Sequence, residues 1–190
     1  YHYIDQPINT VGTVGLLTTR RQLNDDLITW QASPRNKLQF QYRSDPQEYS
    51  NIGITSLRPP ESAEERTVEG PTYVFTWDAP YSTALLVHSL VSWQDNHFEF
   101  RPTTERIPND CIVGVENIAT SLANAYCQNV SSGLVTGSYN RTWKDDRQRL
   151  TVHSDGEHFA TKLWGFDQRI RFGFHVENER YARDLTERPR

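Results

Sequence analysis

The feature that most constrains this chain is that its apolar residues come singly. Mean hydropathy is −0.72 although 36% of the 190 residues are hydrophobic. A core therefore has to be assembled by alternation, one face at a time, and not from long greasy runs. Leu38, Phe40 and Tyr42 are separated by Gln39, Gln41 and Arg43, the period-two pattern of a half-buried strand. Tyr73, Phe75 and Trp77 alternate with Val74 and Thr76 in the same way. The 5 Trp, 9 Tyr and 8 Phe add to the strand preference.

Further strands are expected over Val11 to Thr18 and at Leu27 to Trp30. Thr83 to Trp93 is apolar on both sides, which predicts a central strand buried twice. Asp95-Asn96 then reads as a turn into His97–Phe100. Residues 44–56 look irregular around Asp45-Pro46. The acidic, proline-rich stretch at 57–71 suits a long surface loop with at most one or two helical turns near Glu61 to Glu69.

In the last quarter, strands near 134–143, 148–154, 157–163 and 168–176 form a meander. Asp155-Gly156 is a hairpin signal. A type I′ turn there sets His153 opposite His158. It gathers Arg149, His153, His158, Lys162, Arg169, Arg171 and His175 on one polar face, and Leu150, Val152, Phe159, Ile170, Phe172 and Phe174 on the other.

One helix is expected near 112–127, where Val115, Ile118, Ala119, Leu122 and Tyr126 recur at helical spacing behind the capping residues Asn109 and Asp110. The two cysteines, Cys111 and Cys127, flank it. An unbroken helix would hold them about 24 Å apart, and a disulfide needs roughly 4.4–6.8 Å. A Cys111–Cys127 bridge thus requires a short helix with both flanks folding back; otherwise the thiols are buried separately or one pairs with another chain. Together these elements predict one mainly β domain over 1–190, with about nine to eleven antiparallel strands in a two-sheet sandwich of jelly-roll type. A closed barrel is the alternative.

The chain lacks Met throughout. Tyr1 is read either as the product of leader removal or as the start of a part of a longer protein. Asn129-Val-Ser131 and Asn140-Arg-Thr142 are glycosylation acceptors, and Asn109-Asp-Cys111 is the rarer form. Export to an extracellular setting is the expectation from these features. No stretch approaches the ~20 apolar residues of a membrane span. The net charge of −4 argues against nucleic acid as the main partner. Only Lys37, Lys144 and Lys162 are lysines, so arginine, which favours fixed paired contacts, carries the positive charge.

No nucleotide loop, dinucleotide fingerprint, nucleophile elbow or zinc-protease motif is present, and no cofactor is expected. The opposed His153 and His158 lack nameable further ligands, so no metal is expected either. The leading functional expectation is non-enzymatic recognition. The basic face over 134–177 would bind an anion, a glycan or a protein partner through Arg149, His153, His158, Arg171 and His175, with Trp164 as an aromatic anchor at its edge. An exported enzyme acting on a carbohydrate or small molecule is the rival, with His88 and Glu99 as the weak catalytic candidates. A capsid or surface-coat module is the third reading. Oligomeric state is open.

Overall fold

A computed structural model describes residues 2–10, 13–104, 127–163 and 165–187. Ten of its strands join one antiparallel sheet. They are β1 (His2–Thr10), β2 (Thr13–Arg21), β3 (Asn24–Ser33), β4 (Asn36–Ser44), β5 (Gln47–Ile52), β6 (Glu64–Glu69), β7 (Pro71–Pro80), β8 (Leu85–Pro102), β11 (Arg141–Leu163) and β12 (Phe166–Glu187). A short side pair, β9 (Cys127–Gln128) with β10 (Val135–Thr136), stands apart. The sheet does not close into a barrel: β1, β3 and β12 each pair with one neighbour only among the described residues.

The 18-residue β8 is the spine. One of its edges carries β11 along nearly its whole length, from Trp143↔Phe100 to His158↔Leu85. The other edge is shared. β7 pairs with its first half, from Pro80↔Leu86 to Thr72↔Gln94, and β6 with its second, from Glu69↔His97 to Glu64↔Pro102. The sheet therefore forks, with β7-β4-β3 as one branch and β6-β5-β2-β1 as the other. Gly70 sits at the fork with φ +139, and a Cβ there would lie 1.8 Å from the Asp95 carbonyl oxygen. Only glycine permits so close an approach of two backbones. The expected turn at Asp95-Asn96 is this fork: β8 runs straight through it and changes neighbours.

Three expectations are corrected. The meander collapses into one long hairpin, because β11 runs 23 residues through Asp155-Gly156 without reversing, and β12 returns along it over 22. Gly156 lacks the positive φ that a type I′ turn demands; the left-handed glycine is Gly165, at φ +87. Gly156 instead lies opposite Phe172, whose ring covers it so closely that a Cβ would come within 2.5 Å of Cζ. An aromatic ring over a strand glycine replaces the missing side chain. Strands β5 and β6 also occupy stretches expected to be irregular or loop. Only Pro60–Ser62 of the 57–71 segment is helical, as one 3₁₀ turn.

The second layer of a sandwich is not found among the described residues. The buried hydrophobic residues there are Ile54, Ala63, Ala79 and Val135, and both broad faces of the sheet are partly open to solvent. The expected helix near 112–127 lies outside the described residues except for Cys127, which stands in β9. Cys111, and with it the expected disulfide, lies outside them too, as do Asn109 and Trp164. No helix among the described residues is long and apolar enough to cross a membrane.

Candidate functional site

Residues paired across neighbouring strands share a face, so the registers divide the broad sheet into two surfaces. One is polar. It carries Gln39 and Gln41 from β4, Thr76 and Asp78 from β7, and His88 and Ser92 from β8. From β11 come Arg149, His153 and Glu157, and from β12 Arg171, His175 and Glu179. Arg149, His153, Arg169, Arg171 and His175 do meet here, as expected. His158 does not: five residues from His153 on an unbroken strand, it faces the opposite side, beside Ile170. The partner of His153 is His175, with ring centroids 5.8 Å apart.

The basic groups of this face already have carboxylates. Arg149 Nε lies 3.3 Å from Glu177, and its Nη2 lies 3.3 Å from Glu179. Arg169 and Arg171 both contact Glu157, the latter at 3.3 Å. His153 Nε2 is 2.9 Å from Asp155 Oδ1, and His175 Nε2 is 3.6 Å from Glu177. A free anion would have to displace these internal partners. Among the described residues no cluster of three or more metal-ligating side chains occurs.

The candidate catalytic pair does not assemble. His88 lies on the polar face and Glu99 on the opposite one, and eleven residues of strand separate them by roughly 37 Å. Glu99 is 3.3 Å from Lys144. His88 Nδ1 is instead 2.6 Å from Asp78 Oδ1. The two share an open trough of about 290 Å³ with Asp155 and Glu157.

Two charged clusters were not foreseen. On the polar face, Asp145 is 3% exposed and is held by four donors. Arg183 gives two bonds, at 2.6 and 2.7 Å, Tyr181 Oη donates at 3.1 Å and Arg147 at 3.2 Å. The Arg183 guanidinium, ahead of Tyr181 and Arg147 and against the cost of burial, draws the Asp145 carboxyl down to about 2. Arg183 also lies over the Trp143 ring at 4.7 Å, and Trp143 meets Phe100 edge-on at 4.5 Å. On the opposite face, His97 lies 2.6 Å from Asp146 and 3.3 Å from Asp95. The hydrogen bond to Asp146 leads the causes that raise its pKa, with Asp95 and Glu69 adding to it and burial opposing.

That opposite face is the apolar one. β3 gives it Ile28 and Trp30, β4 gives Leu38 and Phe40, and β7 gives Phe75 and Trp77. β8 adds Val91 and Trp93, β11 adds Leu150 and Val152, and β12 adds Phe172, Phe174 and Val176. A ladder of rings crosses it: Tyr73 stacks on Trp93 at 5.7 Å and meets Tyr42 at 5.4 Å. Trp30, Leu38, Phe75, Trp77 and Val91 line an open trough of about 460 Å³. These side chains are far from buried. Trp30 is 63% exposed, Ile28 65%, Phe174 56% and Trp93 40%. Toward the β6 end the same face turns charged, through His97, Glu99, Lys144 and Asp146. Sequence alternation marks all of these positions as inward-facing; it carries no signal telling an internal core from a face left open.

Of the expected glycosylation positions, Asn129 is exposed in a turn, where its Oδ1 accepts bonds from the Ser131 and Ser132 amides. Asn140 is buried, 5% exposed, so the folded chain does not offer its amide to a glycan. No family model matches this chain, and neither the curated proteins nor the solved structures give a match.

Proposed function

We propose that the chain is a non-enzymatic recognition module that binds a protein partner across the apolar face of its sheet. The observation that carries this is the row from Ile28 and Trp30 to Phe174 and Val176, six strands wide and about half exposed. With 150–250 Å² per aromatic side chain, the exposed apolar area is on the order of 1,000 Å². Monomers rarely leave a patch above roughly 300–600 Å², and a standard interface buries ≈ 800 Å² per partner. The partner's chemistry follows: an apolar layer of its own, a sheet or a pair of helices, with a polar rim meeting His97, Lys144 and Asp146. Such a partner supplies the second layer that the alternating sequence calls for. The internal pairing of Arg149, Arg169 and Arg171 is why this face is preferred to the basic one. Export belongs to the same proposal, supported by the exposed Asn129.

The test places a photo-crosslinking phenylalanine at Phe75 on the apolar face, or at Gln39 on the polar face, in the source cells. Adducts to one protein from position 75 and none from 39 are expected. Adducts from 39 alone, or from neither, overturn the proposal. The same digest reports Asn129: if it is bare, export loses its support.

A second reading keeps one observation. His88, Asp78, Asp155 and Glu157 around the 290 Å³ trough are acid/base groups in one place, the arrangement a hydrolytic site on a carbohydrate or small molecule needs. Soaking with simple sugars and glycosides while following the His88 imidazole by NMR decides it, and an unmoved resonance removes this reading.

A further inference from the structure

We infer that β12 is a dimerisation edge, on which a second copy of this chain pairs antiparallel about a two-fold axis at Phe174. The inference rests on the edge of the sheet and is independent of what covers its apolar face.

A free strand edge is a row of unsatisfied backbone donors and acceptors, and proteins blunt such edges with proline, bulges or short length. Among the described residues β12 pairs with β11 alone. It is 22 residues long and has no proline. The other two edges differ: β3 has 10 residues, with Asp25 and Asp26 near its start, and β1 has 9 with Pro7 within it.

The charges along β12 are unbalanced in a way that reverses about its middle. At one end Arg169 and Arg171 share the single carboxylate of Glu157; at the other Glu177 and Glu179 share the single guanidinium of Arg149. All four β12 residues lie on the polar face. The strand thus carries surplus positive charge on one side of Phe174 and surplus negative charge on the other. A second copy turned about Phe174 sets Arg169 opposite Glu179 and Arg171 opposite Glu177, twice each.

The same register fits the apolar face. Phe174 meets its own copy, Phe172 meets Val176, and Phe166 meets Ala182. Only shifts of an even number of residues keep each face on its own side. A shift of two one way keeps apolar pairs, Phe172 with Phe174 and Ile170 with Val176, but sets Asp167 against Glu179 and Arg171 against His175. A shift of two the other way sets Phe172 against Asn178 and Ile170 against Arg180. The register centred on Phe174 sets Ile170 against Asn178, but of the three it alone matches both arginines with both glutamates while pairing Phe174 with its copy and Phe172 with Val176, the kinds of pairing that stabilise neighbouring strands. The product is a continuous sheet with both apolar faces on one side, a closed two-fold assembly.

Light scattering on the native chain should give twice its 22.1 kDa. Phe174→Lys, at a position 56% exposed and so tolerated by the monomer, should return the mass to 22.1 kDa with an unchanged circular dichroism spectrum. A short bismaleimide should crosslink Phe174→Cys to itself, with the new cysteine identified in the peptide map, and should crosslink a mixture of Phe172→Cys and Val176→Cys but neither alone. A monomeric native chain overturns the inference. So does a dimer in which Phe172→Cys crosslinks to itself as readily as Phe174→Cys. Replacing Trp30 by Ser tests the apolar face separately and should leave the dimer mass unchanged.

Discussion

At the scale of single residues, Asp145 is a buried and densely bonded point among the described residues. It brings Arg147, on its own strand, together with Tyr181 and Arg183 across the hairpin, about as far from the chain reversal at Gly165 as the two strands allow. A buried carboxylate with four charge-assisted or hydroxyl donors is stabilised in its ionised form. Asp145→Asn keeps the shape but loses the charge, and should cost about 1–3 kcal/mol in urea unfolding. The pH dependence has a definite sign. The folded-state value of about 2 lies below the ordinary 3.8, so this contribution is complete above pH 3.8 and drains away as the pH falls toward 2. The native chain should therefore lose stability over that window more steeply than Asp145→Asn does. Equal acid limbs for the two proteins would show that Asp145 is not ionised in the fold as described.

At the scale of elements, alternation in the sequence located most strands correctly and failed where it had to choose their ends. Leu38–Arg43 and Tyr73–Trp77 fall inside β4 and β7 as expected. The meander failed because Asp155-Gly156 offers a turn that the chain does not take. Pairing along the whole of β8 favours an extended Gly156 under the Phe172 ring, and that competitor is more than ten residues away in sequence. The same non-local pairing hides His97–Asp146 and Asp145–Arg183 from any local pattern, whereas Arg149, His153, Arg171 and His175 share a face by parity alone. His158 faces the other side because a two-residue turn at 155–156 would set it opposite His153, whereas on the unbroken strand the odd spacing of five turns it away.

The fork makes the matching prediction for backbone. Gly70→Ala brings a Cβ to the Asp95 carbonyl at a φ of +139, with no side chain able to yield, and should cost more than about 2 kcal/mol. Gly165→Asn, at φ +87 with nothing within 4 Å, should cost less than about 1 kcal/mol, since Asn tolerates that region. Similar losses at both sites in thermal unfolding would place the fork elsewhere.

At the scale of the whole molecule, the polar sequence and the open sheet are two views of one fact. Among the described residues, a chain of mean hydropathy −0.72 that spreads its apolar residues along one side of six strands pairs its backbone without fully covering those side chains. The stability of such a sheet comes from its ladders, its ring stacks and clusters such as Asp145, and the outer members of the apolar row contribute little while they face water. Ile28→Thr, Trp30→Thr and Phe40→Thr together keep β propensity and remove exposed apolar surface. They should change the unfolding free energy by less than about 1 kcal/mol, while binding of a hydrophobic dye such as ANS falls sharply. Crosslinks from this face to its partner should disappear in parallel. An internal core would respond in the opposite way: three large-to-small changes would cost about 2–5 kcal/mol each, and dye binding would rise as the fold loosened. The sign of the dye response therefore separates a face built to meet another protein from one the chain covers for itself.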